Sequence, residues 1–394
     1  MEARPATYLD HAATTPMRPE VLAAMTPYLT DVHGNPSGMH GVARAAKRAL
    51  EEARERVAVA IGARPGEVVF TSGGTEGDNL ALKGAARASR DANRALDRVV
   101  VTAFEHKAVL RAADRLARDG FRVTHAPVTR DGSVDLAALA DTLDDRTSVV
   151  SVMTVNNEVG TIQPIDEVAA LLRERAPQAV LHTDAVQAGA WLDLRRATAG
   201  AHLVSVSAHK LGGPKGTGAL TARDGTRVEP EIDGGGQERG LRSGTVDVAG
   251  AVGLATALEL AQRDVVQEAT RVAALRDRLL DGLLASCPGS WCNGARDVGA
   301  RVAGNANVGF PDVDGQTLLV LLDTLGVCAS AGSSCSSGAL EPSHVLLAMG
   351  LDRAAARGSI RFTLGWSSTI DDVDHALAVV PDAVTRLRGV GIAT

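Results

Sequence analysis

The chain has 394 residues, 45% of them hydrophobic and 22% charged, with a formal net charge of −6. Because one simple core rarely organises this length, we expect two domains. The negative balance and the lack of a long Lys/Arg run argue against direct binding to nucleic acid. No run reaches the roughly 18 apolar residues of a membrane span, and the N-terminus shows no signal-peptide core, so we expect a cytoplasmic protein without a membrane partner.

Short apolar runs alternate with Ala-rich segments of helical spacing in the first part of the chain. The runs are EVVF (67–70), RVVVTA (98–103), SVVSVM (148–153), AVLHTD (179–184), HLVSVSA (202–208) and GALTA (218–222). This α/β alternation predicts a large, mostly parallel sheet flanked by helices and buried on both faces. Ligands bind such sheets at the carboxyl ends of the strands, so the residues after each run are candidates for a site.

The pattern changes beyond about residue 245, where one long helical stretch precedes the shorter segments ANVGF, LLVLLDTLG and GSIRFTLG. We expect a smaller α+β domain here, joined to the first by that helix. The predicted large domain spans residues 16–258. The small domain would span 259–394, with residues 1–15 packed onto it.

Polar residues follow the first three runs. Gly74 and Thr75 lie in a Gly-rich turn that opens a helix, which is a place where backbone N–H groups can bind a phosphate. His106 follows the second run and Asn157 the third. Each signal is weak alone, since such turns are common and a lone histidine is more often structural.

The next two runs end in stronger candidates. Asp184 ends one run and Gln187 follows it, while Ser207, His209 and Lys210 end the next. A lysine in a partly desolvated site has a lowered pKa and can form a Schiff base. The set matches the needs of pyridoxal phosphate, whose aldehyde requires a lysine, whose ring nitrogen requires an acid and whose phosphate requires a helix N-terminus.

The chain has four cysteines, which is too few for a disulfide framework and fits a reducing compartment. Cys287, Cys292 and Cys328 have the setting of structural residues, and no Cys/His spacing matches a zinc site, so we expect no metal. Cys335 differs because it lies within SAGSSCSSG, a Ser/Gly run typical of flexible backbone.

Six motifs occur in one order: YLDHAATTP, TSGGTEGDN, NNEVG, SAHKLGGPKG, GGGQERGLRSGT and SAGSSCSSGALEPSHVL. In these motifs the chain resembles the cysteine desulfurases of the NifS/IscS type, in the class V aminotransferase group of fold-type-I pyridoxal phosphate transferases. The resemblance runs from near the start of the chain to SIRFTLG near residue 365. It implies the fold-type-I architecture and a homodimer with shared active sites.

The resemblance also implies roles for individual residues. Lys210 would bind pyridoxal phosphate covalently and move the Cα proton, and Cys335 would be the nucleophile. His106 would stack on the cofactor ring, Asp184 would pair with the ring nitrogen and Gln187 with the ring oxygen. The phosphate ligands would be Gly74, Thr75, Ser207, His209 and Thr245 of the partner subunit, and the ligands of the substrate carboxylate would be Asn157 and Arg361.

The implied reaction converts L-cysteine to L-alanine and leaves a persulfide on Cys335, which a mobile loop at about 328–342 would carry to an acceptor protein. Iron–sulfur assembly, thio-modification of tRNA or DNA and thio-cofactor synthesis remain open as destinations. One alternative is another pyridoxal phosphate enzyme, an aminotransferase or a kynureninase-like hydrolase, which would have no use for Cys335. A non-catalytic sulfur-transfer scaffold is a second alternative.

Overall fold

The computed structural model describes residues 6–297, 299–331 and 341–390. The strands are β1 (Thr7–Tyr8), β2 (Val68–Thr71), β3 (Arg98–Thr102), β4 (Arg122–Ala126), β5 (Thr147–Ser151), β6 (Val180–Asp184), β7 (Leu203–Ser207), β8 (Gly218–Ala222), β9 (Trp291–Asn293), β10 (Asn305–Gly309), β11 (Val327–Cys328) and β12 (Ser359–Thr363).

The helices are α1 (Pro19–Leu29), α2 (Gly41–Ile61), α3 (Gly74–Asn79), α4 (Ala85–Ala92), α5 (Lys107–Arg118), α6 (Leu136–Thr142), α7 (Ile165–Arg175), α8 (Leu194–Ala197), α9 (Val248–Arg263), α10 (Val265–Ser286), α11 (Gly315–Thr324), α12 (His344–Ala348), α13 (Arg353–Arg357) and α14 (Ile370–Val390). A π-helical turn, Leu80–Gly84, joins α3 to α4, and 3-10 turns lie at Pro65–Glu67, Ala208–Lys210 and Glu238–Gly240.

The large sheet has seven strands in the order β2-β8-β7-β6-β5-β3-β4. Within it β8 pairs antiparallel with both neighbours, and the other pairs are parallel. Each predicted apolar run overlaps one of these strands. β4 corresponds to none of the predicted runs. This edge strand exposes Arg122 and His125 to solvent and therefore lacks an apolar run.

A smaller region follows, built on the antiparallel sheet β12-β10-β9 and the parallel pair β1-β11. The single bridging helix that the sequence predicts is two helices, because Asp264 leaves helical geometry (φ −120°, ψ 26°) between α9 and α10. Leu258 of α9 belongs to the core under the large sheet, whereas Val272 of α10 belongs to the core under the small sheet. The domain boundary after residue 258 stays a prediction.

The segment after β1 links the two regions. The Leu9 carbonyl accepts a hydrogen bond from the Thr363 amide at 2.7 Å, next to the small sheet. A few residues later the Thr15 amide donates to the His209 carbonyl at 3.1 Å, beside the large sheet. Residues 9–15 therefore cross the cleft between the sheets. None of the helices in the described residues combines the length and apolar character needed to cross a membrane.

Candidate active site

Most of the predicted site residues lie where strands of the large sheet end. Gly74 begins α3 shortly after β2, and His106 precedes α5 after β3. Asp184 is the last residue of β6, Ser207 is the last of β7, and Lys210 lies on the 3-10 turn that follows. Because β6 and β7 are paired and parallel, the carboxylate and the amine leave the sheet side by side.

The Lys210 ammonium contacts backbone carbonyls of the crossing segment. Its Nζ donates to the oxygens of Ala12 and Ala13, both at 2.6 Å. Burial and the positive charge of Arg361 lower the pKa of Lys210 to about 8, and the negative charge of Asp184 opposes this shift. A substantial fraction of the amine is therefore neutral near physiological pH, as a nucleophilic or proton-accepting amine requires.

Asp184 is a buried carboxylate at the base of the cleft. Its Oδ1 accepts a hydrogen bond from the Val186 amide at 2.9 Å. Burial, together with the neighbouring Asp78 carboxyl, raises the pKa of Asp184 to about 6. Among the described residues, no lysine or arginine forms an ion pair with Asp184. This buried acid is therefore available to a positive group that binds in the cleft. The predicted ring-oxygen ligand Gln187 lies nearby and donates from Nε2 to the Ala12 carbonyl at 2.9 Å.

His106 caps the N-terminus of α5. Its Nδ1 accepts a hydrogen bond from the Ala108 amide at 3.2 Å, so the neutral ring carries its proton on Nε2. The residue is exposed, yet desolvation by the surrounding protein lowers the pKa of His106, and the charge of Asp184 opposes that shift. Ligand atoms of His106, Asp184 and Asp78 lie within 4.8 Å of one another. This spacing could also suit a metal ion, and the absence of a metal stays a prediction.

A cavity of about 380 Å³ opens at the start of α3. It is lined by Ala13, Thr14, Ser72, Gly73, Gly74, Thr75, Glu76, Ser207, His209, Lys215 and Gly216. Gly73 has φ +144°, a conformation that side chains rarely adopt, and a Cβ on Gly74 would lie 2.7 Å from Val186. Backbone amides and hydroxyl groups at a helix start suit an anion. Burial and the charges of Lys210 and Lys215 lower the pKa of His209 to about 4.

Arg361 reaches the cleft from the small sheet. It lies in the middle of β12 with a side chain only 4% exposed. Its Nη1 donates to the Asn157 carbonyl at 3.0 Å, and its Nη2 donates to Asp10 Oδ1 at 2.8 Å. The structure thus brings together Arg361 and Asn157, the two predicted substrate ligands. The Arg361 backbone also pairs with Ser330, five residues before Cys335 in the sequence.

Thr245 is not brought into this site within one chain, and Cys335 cannot be placed from the described residues. Thr245 is exposed in the loop before α9 and is not among the residues that line the cavity at α3. Cys335, with most of the predicted mobile loop at 328–342, lies outside the described residues. After that gap, Ser343 donates a short hydrogen bond to the buried Glu158 carboxylate, and His344 Nε2 lies 2.9 Å from the Glu105 carbonyl oxygen.

Sequence reasoning missed several buried ionisable groups around the site. Burial raises the pKa of Asp78 to about 7 and raises that of Glu105 well above its ordinary value. His182 lies inside β6, 3.5 Å from the Asp78 carboxylate, and burial lowers its pKa to about 4. Asp10, Asp78 and Glu158 all fall within the motifs YLDHAATTP, TSGGTEGDN and NNEVG. For Glu105, an acidic residue two positions after an apolar run was the signal that could have identified it.

The family is decided by a comparison with family models, in which the aminotransferase class-V model matches residues 7–376. The chain belongs to the aminotransferase class-V family. It is 48% identical, over 98% of both chains, to an IscS-like cysteine desulfurase of Mycobacterium tuberculosis. It is also 44% identical to the cysteine desulfurase IscS of Methanosarcina thermophila, over 97% of this chain and 93% of that one.

Solved structures agree with these relatives. A NifS-like protein superposes with a TM-score of 0.89 at 36% identity, covering 97% of this chain and all of the other. DndA from Streptomyces lividans superposes with a TM-score of 0.77 at 38% identity, covering 91% of this chain and 99% of the other. The relatives and structures confirm the predicted fold-type-I architecture and the prediction of a cysteine desulfurase.

Proposed function

We propose that this chain binds pyridoxal phosphate at the strand ends of the large sheet, converts L-cysteine to L-alanine and passes the sulfur through Cys335 to an acceptor. The observation that carries the proposal is the pair formed by Lys210 and Asp184. The buried acid ends β6, and the amine, with a pKa near 8, lies on the turn directly after the paired parallel strand β7. The relatives named cysteine desulfurase support the choice of reaction.

The donor set fits the cofactor at each of its polar groups. The Lys210 amine matches the aldehyde, the Asp184 carboxylate matches the ring nitrogen, and the cavity at α3 matches the phosphate. The absence of a side chain at Gly73, where a Cβ would have no neighbour closer than 3.8 Å, supports an approach of the phosphate to the backbone there. When bound, pyridoxal phosphate supplies an electron sink for the substrate Cα. Gln187 would pair with the ring oxygen, and His106, which is exposed, would stack on the ring.

Lys210 would move the Cα proton of the substrate. Its lowered pKa leaves about a tenth of the amine neutral at pH 7 and about half at pH 8, and the neutral form can accept a proton. His106 would assist, because its Nδ1 is held by the Ala108 amide and its Nε2 is free to carry the exchangeable proton. Arg361 and Asn157 would hold the α-carboxylate and so orient the substrate above these groups.

In the sulfur step, the Cys335 thiolate would attack the substrate Sγ. The new S–S bond forms as the substrate Cβ–S bond breaks, and the bonding electrons return to the substrate carbon skeleton, which is protonated to alanine. The sum is L-cysteine plus a Cys335 thiol giving L-alanine plus a Cys335 persulfide. The backbone pairing of Ser330 with Arg361 supports this assignment, since it starts the Cys335 segment beside the substrate ligand.

We further propose a cytoplasmic homodimer that hands its sulfur to a separate acceptor protein. The exposed position of Thr245, away from the cavity of its own chain, supports a role at the phosphate of the second subunit. The small number of cysteines suits a reducing compartment, in which the thiolate of Cys335 would be regenerated after each transfer.

Product analysis tests the proposal. Purified protein is incubated with L-cysteine and a reductant, alanine and sulfide are quantified together, and bound cofactor is followed by visible absorbance. We expect equal amounts of alanine and sulfide from the natural chain, and neither from Cys335→Ser, with the cofactor absorbance retained in both. Cys292→Ser, which changes a partly exposed cysteine outside the site, is the control and should react normally. Full activity in Cys335→Ser would refute the persulfide assignment, and a colourless protein would refute the Lys210 assignment.

A further inference from the structure

The guanidinium of Arg361 already has a carboxylate partner. Asp10 Oδ1 accepts from Arg361 Nη2 at 2.8 Å, and the two side chains are 22% and 4% exposed. Asp10 is fixed next to this guanidinium by a bridge to Thr363 on the same strand, and the hydroxyl of Tyr8 donates to its carbonyl at 3.1 Å. The ion pair is therefore held by backbone on both sides.

The remaining donors of Arg361 show what an incoming carboxylate would find. Nη1 is engaged by the Asn157 carbonyl, and Nε is buried without a hydrogen-bond partner among the described residues. A bidentate carboxylate requires two neighbouring N–H groups of the guanidinium. One of the two terminal nitrogens is shared with Asp10, so the α-carboxylate of a substrate would have to share it or displace the Asp10 oxygen.

The charges of the cleft also oppose the binding of a second carboxylate at Arg361. The charge of Arg361 contributes to lowering the pKa of Lys210, and the charges of Asp184 and Asp10 oppose that lowering. Asp10 therefore supplies negative charge close to where a second carboxylate would bind. Two carboxylates on one guanidinium repel each other, which weakens the binding of the newcomer.

We propose that Asp10 is a resident counter-ion that competes with the α-carboxylate of the amino acid for Arg361. It keeps the buried guanidinium paired between turnovers and favours the release of the amino-acid product. Asp10 thus acts as a positioning residue that sets affinity through Arg361. This inference rests on the proposed role of Arg361 as the substrate-carboxylate ligand.

The test compares two ligands that differ only in the carboxylate. Dissociation constants of L-alanine and L-alaninamide are measured by titration of the visible absorbance of the holoenzyme, for the natural chain and for Asp10→Asn. The amide oxygen of asparagine can still accept from Nη2, so Arg361 keeps its place while the competing charge is lost. We expect L-alanine to bind about five- to tenfold more tightly to Asp10→Asn and L-alaninamide to bind as before.

Unchanged or weaker binding of L-alanine to Asp10→Asn would overturn the inference, and so would an equal change for both ligands. Asp374→Asn is the matched control, because it removes a surface aspartate paired with Arg278 at 2.6 Å, and both ligands should bind as before. Arg361→Lys distinguishes a failure of the Asp10 inference from a failure of the proposed role of Arg361. If that variant binds L-alanine as tightly as the natural chain, the role of Arg361 itself fails, whatever Asp10→Asn shows.

Discussion

The two regions hold their functional groups in different ways. The large sheet presents Asp184, Ser207 and Lys210 at or just beyond strand ends, where backbone direction alone brings them together. The small sheet presents Arg361 from the middle of β12, and its direction depends on Asn157 and Asp10, which come from elsewhere in the chain.

This difference separates two tasks. The strand-end groups form a set that matches one rigid ligand, and the sheet fixes their spacing. In the proposed function Arg361 would instead exchange partners, because its present carboxylate partner comes from the protein itself. Changes in the large region should therefore act on cofactor binding, and changes around Arg361 should act on the amino acid.

The larger expected effect is on substrate affinity, and Arg361→Lys isolates it. Lysine keeps the charge but lacks the planar fork that binds a carboxylate through two hydrogen bonds. We expect the KM for L-cysteine to rise about 10- to 100-fold, the equivalent of one or two charge-assisted hydrogen bonds. Steady-state kinetics measure it, with Arg357→Lys, an exposed residue at the end of α13, as the control. An unchanged KM would contradict the proposal that the amino acid binds to Arg361 in the small region.

A smaller effect concerns the cofactor side and its pH dependence. Burial lowers the pKa of Lys210 to about 8, so the amine becomes neutral, and able to attack an aldehyde, as the pH rises through that value. Reconstitution of cofactor-free protein with pyridoxal phosphate should be about tenfold slower at pH 7 than at pH 9, by the fraction of neutral amine. Stopped-flow absorbance follows the reaction. Nα-acetyl-lysine, which keeps a free ε-amine, is the reference. A rate for the protein that rises only near the ordinary lysine pKa of about 10.4 would contradict the lowered pKa of Lys210.

The strand-end half of the site could be predicted from sequence because it is local. Asp184 ends one apolar run and Lys210 comes two residues after the next, so that their position in the chain also gives their position in the fold. The partnership of Arg361 with Asp10 could not be predicted in this way, since 351 residues separate the two and only the crossing of residues 9–15 between the sheets joins them. The edge strand β4 could not be predicted either, because its exposed side chains are polar and its sequence contains no apolar run.

The most direct test of the division between the regions is the cofactor affinity of two variants. The dissociation constant of pyridoxal phosphate is measured by equilibrium dialysis for the natural chain, Asp184→Asn and Arg361→Lys. We predict that Asp184→Asn binds the cofactor about 10- to 100-fold more weakly, because the neutral amide of asparagine cannot form an ion pair with a protonated ring nitrogen. Arg361→Lys should bind it as the natural chain does. Equal weakening in both variants, or none in Asp184→Asn, would contradict the assignment of the cofactor to the large region and of the substrate to the small one.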